Sequence, residues 1–101
     1  MPKLTEFVMS PNESIAMAID LATEFLASGE TVAAYTVTLE TSGGSDISET
    51  NLSGDASESS GVVTSPLVTG LTLNGDYKLR FSVTVGSNVY DYWIGIRCRA
   101  A

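Results

Sequence analysis

Two runs of alternating apolar and polar residues meet at Gly86-Ser87, and they restrict the fold of this chain more than any other feature. Before that pair, Tyr77, Leu79, Phe81 and Val83 share one parity, with Lys78, Arg80 and Ser82 on the other. After it, Tyr90, Tyr92, Ile94, Ile96 and Cys98 fall on one parity again. A period of two sends successive side chains to opposite faces, so each run reads as a strand with one buried face. Gly-Ser suits a type II′ turn, which makes the two runs a hairpin. In that register Val85 pairs with Asn88, Arg80 lies opposite Trp93 and Asp76 faces Arg97.

The rest of the chain repeats this pattern in shorter pieces. Ile15, Met17, Ile19 and Leu21 alternate with Ala16, Ala18 and Asp20, after an irregular start. Thr31 to Leu39 puts Ala33, Tyr35, Val37 and Leu39 on one side. Val62 to Val68 reads as a strand that Pro66 confines to an edge or a bend. In TEFLASGE, Thr23 can cap one helical turn carrying Phe25 and Leu26, and Gly29 supplies a left-handed exit, which suits a strand connection. Thr41 to Gly61 is polar, acidic and rich in Gly and Ser, with Ile47 and Leu52 to bury; it predicts two weak strands near an edge, joined by mobile loops. Asn74-Gly75 marks a turn, and Tyr77 follows Leu71 by six residues. That is the layout of a tyrosine corner, in which the phenol bonds to backbone just upstream.

About seven short strands predict an all-β protein, an antiparallel β-sandwich of the immunoglobulin or fibronectin-III kind. Residues 1–13 read as an N-terminal extension or edge segment and 14–101 as one sandwich domain. At 101 residues, 44% of them hydrophobic, the chain buries a core without covalent staples. Its formal net charge of −7 repels phosphate backbones, which argues against nucleic acid as a partner. With no histidine and one cysteine, a histidine-based triad, a histidine-ligated metal and an intrachain disulfide are all excluded. No run is apolar for the length of a membrane span, and MPKLTEFVMSPNES lacks the apolar centre of a signal peptide. The expectation is a protein made and used without export, with neither cofactor nor small-molecule substrate.

Chemistry-bearing residues gather in one place. The outward parity of the hairpin carries Lys78, Arg80, Trp93, Arg97 and, past the strand end, Arg99. Cations around a lone tryptophan make a common interface anchor, so this face is the candidate docking surface. The plainer alternative is an arginine laid over the indole to cover it. Asp46, Glu49, Asp55 and Glu58 have the chemistry of a hard-cation site but not the ligand ladder of a calcium loop, and read as a solvated acidic segment. Cys98 has inward parity and reads as a buried thiol. The Asn12-Glu13-Ser14 and Asn51-Leu52-Ser53 triplets read as chance matches to a glycosylation pattern. Acidic residues on turns and solvent faces give paired-carboxylate catalysis no cleft, so no enzyme is expected.

Two stretches go further. TEFLASGETVAAYTVTL contains Glu24, Phe25, Leu26, Gly29, Glu30, Thr31 and Val32, and GLTLNGDYKLRFSV contains Gly75 and Tyr77 before a hairpin with a basic end. Together they resemble the small immunoglobulin-like virion proteins of tailed bacteriophages known as phage fiber–tail adaptor proteins. The Thr41–Gly61 stretch is longer and more acidic than that group's pattern. The resemblance implies a non-enzymatic part of the virion tail or neck, assembled in the bacterial host's cytoplasm. It implies several copies in a symmetric assembly, contacting other virion proteins and neither nucleic acid nor membrane. A capsid decoration protein and a carbohydrate-binding or adhesive module are the other readings.

Overall fold

The Gly86-Ser87 hairpin is the spine of the structure. The computed structural model describes residues 3–21 and 31–99, with the side chains of residues 3 and 4 left aside. The expected helical turn with Thr23, Phe25, Leu26 and Gly29 lies outside the described residues, as do Glu24 and Glu30. Strands β8 (Asp76–Val85) and β9 (Asn88–Cys98) pair antiparallel in the register read from sequence: Val85 with Asn88, Arg80 with Trp93, Asp76 with Arg97. Gly86 takes a φ of 61° while Ser87 stays negative, the backbone pattern of a II′ turn.

Two more strands flank this hairpin to give the order β1-β9-β8-β3. Strand β3 (Val32–Thr41) lies antiparallel to β8. Strand β1 (Lys3–Met9) runs parallel to β9, so the expected irregular start is an ordered edge strand and the sheet is not wholly antiparallel. Its alternation is hard to see because both parities are mixed: Thr5 sits beside inward-facing Phe7 and Met9, and Glu6 beside outward-facing Val8.

The opposite layer is built from fragments: β2 (Ala18–Asp20), β4 (Leu52–Ser53), β5 (Ser57–Ser59), β6 (Val62–Thr64) and β7 (Leu67–Val68). Strand β6 lies between β2 and β5, while β7 pairs with β4 and meets Ile15 in a single bridge. Pro66 causes the break, because it has no N–H to give a ladder. Ser65 repairs it. Its N–H donates to Met17 O at 2.7 Å, and its Oγ accepts from Met17 N–H at 2.9 Å. The strand expected over Ile15–Leu21 thus shrinks to Ala18–Asp20 while keeping its faces: Met17, Ile19 and Leu21 are buried, and Ala16, Ala18 and Asp20 exposed.

One apolar cluster fills the space between the layers. Leu39, Leu79, Phe81, Ile96 and Cys98 from the long sheet meet Val63 and Val68 from the other, all of them fully buried. The Cys98 thiol is part of this core. At about 1.5–3 kcal/mol for each large apolar side chain removed from water, this burial dominates the stability.

Two expectations need correction. In β3, Ala33 is exposed rather than inward, Tyr35 keeps the inward parity of its partner Val83 but stays exposed at the edge, and only Leu39 is fully buried. A register shift between Val32 and Ala34 displaces Ala33: Val32 pairs with Val85 and takes the inward place assigned to Ala33. The Thr41–Gly61 stretch does hold two short strands, β4 and β5, but it also contains a helical turn, α1 (Ser48–Asn51). Side chains tie it down. Ser48 Oγ accepts from Leu39 N–H at 2.8 Å and donates to Asp46 Oδ1 at 2.6 Å, while Asn51 Nδ2 donates to Thr69 O and Gly70 O at 2.9 and 3.0 Å. Ile47 and Leu52 pack partly buried against the core.

Candidate docking face

The outward side of the long sheet is a grid that the strand registers assemble. One row runs Glu6, Gly95, Lys78, Glu40 across β1, β9, β8 and β3. The neighbouring rows place Val8, Arg97 and Asp76 on one side, and Trp93, Arg80 and Thr38 on the other. Gly95 has no side chain, so the row dips at its middle. The result is a concavity of about 310 Å³ walled by Glu6, Asp76, Lys78, Trp93 and Arg97.

The structure brings Lys78, Arg80, Trp93 and Arg97 onto this face and Arg99 to its end, but in a different electrostatic arrangement from the one expected. Lys78, rather than Arg80, sits over the indole, its Nζ 5.0 Å from the ring centroid of Trp93. Arg80 turns to Glu40 at 2.9 Å and to Asp91 at 3.9 Å. Asp76 Oδ1 lies 2.9 Å from Arg99 and 4.0 Å from Arg97. The face is therefore a mosaic of both signs rather than a block of positive charge. The Glu40 carboxylate, by hydrogen bond and by charge, holds the Arg80 guanidinium above its already high ordinary pKa.

Glu40 and Glu6 are the residues that sequence reasoning missed. Each reaches the face through pairing of strands far apart in the chain, Glu40 with Lys78 and Glu6 with Gly95. Asp91 was closer to hand, since it shares the outward parity of Trp93. Such exposed pairs are each worth about 0–1 kcal/mol and weaken with salt. Their contribution is to hold long side chains in place around the indole.

At the end of this sheet, Leu71, Gly75 and Tyr77 come together. Tyr77 is buried, and its Oη accepts from Thr72 N–H at 3.0 Å, one residue beyond Leu71. Asn74, not Gly75, takes the positive φ of this turn, 67°. Gly75 serves a different need: a Cβ there would come within 2.6 Å of Tyr77 Oη. Arg99 closes the same corner, donating to Cys98 O at 2.9 Å and Gly75 O at 3.3 Å.

The acidic candidates do not converge. Among the described residues no three Asp, Glu, Cys or His side chains stand close enough together to hold a metal ion. Asp46 Oδ1 accepts from the Ser48 hydroxyl and N–H, which lowers its pKa below the usual aspartate value. Glu58 Oε2 accepts from Gly61 N–H at 2.8 Å. On the inner side, burial and the neighbouring Tyr90 raise the pKa of the Tyr92 hydroxyl. In comparisons with known proteins, no family model and no curated protein matches this chain.

Proposed function

We propose that this chain is a non-enzymatic structural protein of a tailed-bacteriophage virion, an adaptor that docks fiber or other components onto the tail or neck. In this reading the fold is an immunoglobulin- or fibronectin-III-like sandwich, and the Tyr77–Thr72 bond is its tyrosine corner. The observation that carries the proposal is the outer face of the β1-β9-β8-β3 sheet, where Trp93 is held under Lys78 inside a ring of paired charges. Tryptophan and arginine are the residues that anchor protein interfaces, and a surrounding mosaic of charge sets register and rejects wrong partners.

Much of the GETV-type half of the resemblance lies outside the described residues, so the docking face bears the weight. A carbohydrate-binding module is less favoured, because a sugar stacks on an open aromatic face and Lys78 covers this one. A capsid decoration protein uses the same kind of surface and differs in address. Gold-labelled antibody against this chain, applied to intact particles, decides between them. Label at the tail or neck is the expected result. Label over the shell selects decoration, and particles that do not contain the chain overturn both readings.

A further inference from the structure

The two edges of the long sheet are finished differently. β1 carries Glu6, and the edge strands β2 and β5 of the opposite layer carry Asp20 and Glu58. Charges of this kind are how natural sheets discourage edge-to-edge pairing. The first part of β3, VAAYTVT, carries none, and Ala33, Ala34, Tyr35 and Thr36 are all exposed.

The backbone at this edge is half sealed. Leu39 N–H donates to Ser48 Oγ, and Leu39 O accepts from Ile47 N–H at 2.8 Å. Thr41 N–H donates to Ser45 O at 2.9 Å. These residues therefore face away from β8, and the ladder's period of two puts the N–H and C=O of Tyr35 and Val37 on the same edge. Among the described residues no partner occupies them. The open segment is bounded by the register shift at Val32/Ala34 on one side and by the Ser42–Ser48 segment on the other.

We infer that this open edge pairs with the same edge of a second copy of the chain, antiparallel about a twofold axis at Thr36. This inference stands apart from the virion reading, because it uses a different surface. In that register Tyr35 meets Val37 of the second copy, and each such pair exchanges two N–H to C=O bonds. On the inner side an aromatic residue faces a β-branched one, and on the outer side Thr36 faces its own copy, both favourable cross-strand pairs. The segment is thus complementary to itself. At a net charge of −7 copies of the chain repel one another over most of their surface, and the residues that meet in this register, Tyr35, Thr36 and Val37, add no charge to that repulsion. The seam is shorter than the roughly 1,200–2,000 Å² interface of a stable complex, so the dimer is a weak one.

Sedimentation velocity over about 10 µM to about 1 mM, at physiological salt, is the test. The parent should show a concentration-dependent dimer. Thr36→Lys sets two like charges face to face and should weaken association tenfold or more, with thermal unfolding showing the monomer intact. Thr36→Glu should do the same, and mixing the two variants should restore a dimer, because only a twofold axis at this residue opposes Lys to Glu. A parent that stays monomeric throughout, a Thr36→Lys variant that associates like the parent, or a Lys and Glu mixture that fails to associate would each overturn the inference.

Discussion

In the long sheet, β8 and β9 run for 10 and 11 residues, whereas the strands facing them run for two or three. The long strands specify their own register, because a slip of one residue would move Leu79, Phe81 and Ile94 from the core to solvent. A strand of three residues has no such leverage. The fragmentary layer is positioned instead by single polar side chains: Ser65 at the Pro66 break, Ser48 at the edge of β3, and Asn51 on the Thr69–Gly70 backbone. One layer rests on many weak and redundant contacts, the other on a few specific ones.

Truncating the core of the long sheet should have the largest effect. Phe81→Ala removes a fully buried side chain and should cost about 3–5 kcal/mol in a urea titration. A loss under about 1 kcal/mol would mean that the long sheet is not the stabilising half. In the fragmentary layer the sharper probe is a hydroxyl. Ser65→Ala leaves the Met17 N–H without its acceptor and should cost about 1–3 kcal/mol, a large effect for so small a change. If Ser65→Ala is as stable as the parent, the Pro66 break is not held by that bond, and the contrast between the layers fails.

The corner joins the two regimes. Tyr77→Phe keeps the packing and removes the acceptor of Thr72 N–H, for an expected loss of about 1–2 kcal/mol. A phenylalanine variant that matches the parent at its urea midpoint would show that packing alone fixes the turn.

Smallest should be the effect of pH at α1. The Asp46 pKa is lowered in the folded state, so its contribution is present above the ordinary aspartate pKa and is lost as pH falls through the depressed value. Its carboxylate signal in an NMR titration should move below the ordinary aspartate midpoint in the parent and back towards it in Ser48→Ala. An unchanged midpoint would separate Asp46 from Ser48.

The same contrast explains how much of the molecule was legible in its sequence. The β8–β9 register could be read residue by residue, because alternation over ten positions leaves one solution. So could Met17, Ile19 and Leu21, whose parity survived although the strand shrank. Ala33 was misplaced because a bulge adds a residue that no composition signals. β1 reads from sequence only as an extension or edge segment, because a half-covered edge strand mixes its parities. Lys78, Arg80, Trp93 and Arg97 were found as a group, since they share one hairpin. Their counter-charge Glu40 was not, because its pairing with Arg80 spans 40 residues of chain and depends on the β3–β8 register. The helical turn α1 is held by Asp46, Ser48 and Asn51, residue types that read from sequence as loop.

The proposed virion role rests on the outer face of the long sheet, with Trp93 at its centre. Counting copies of Trp93→Ala in purified particles, beside Val89→Ala as an exposed control further along the same strand, tests it most directly. Both variants should fold, with thermal unfolding like the parent's, and Trp93→Ala alone should be depleted tenfold or more, the loss expected when an interface anchor is truncated. Particles that hold folded Trp93→Ala at the parental copy number would contradict it.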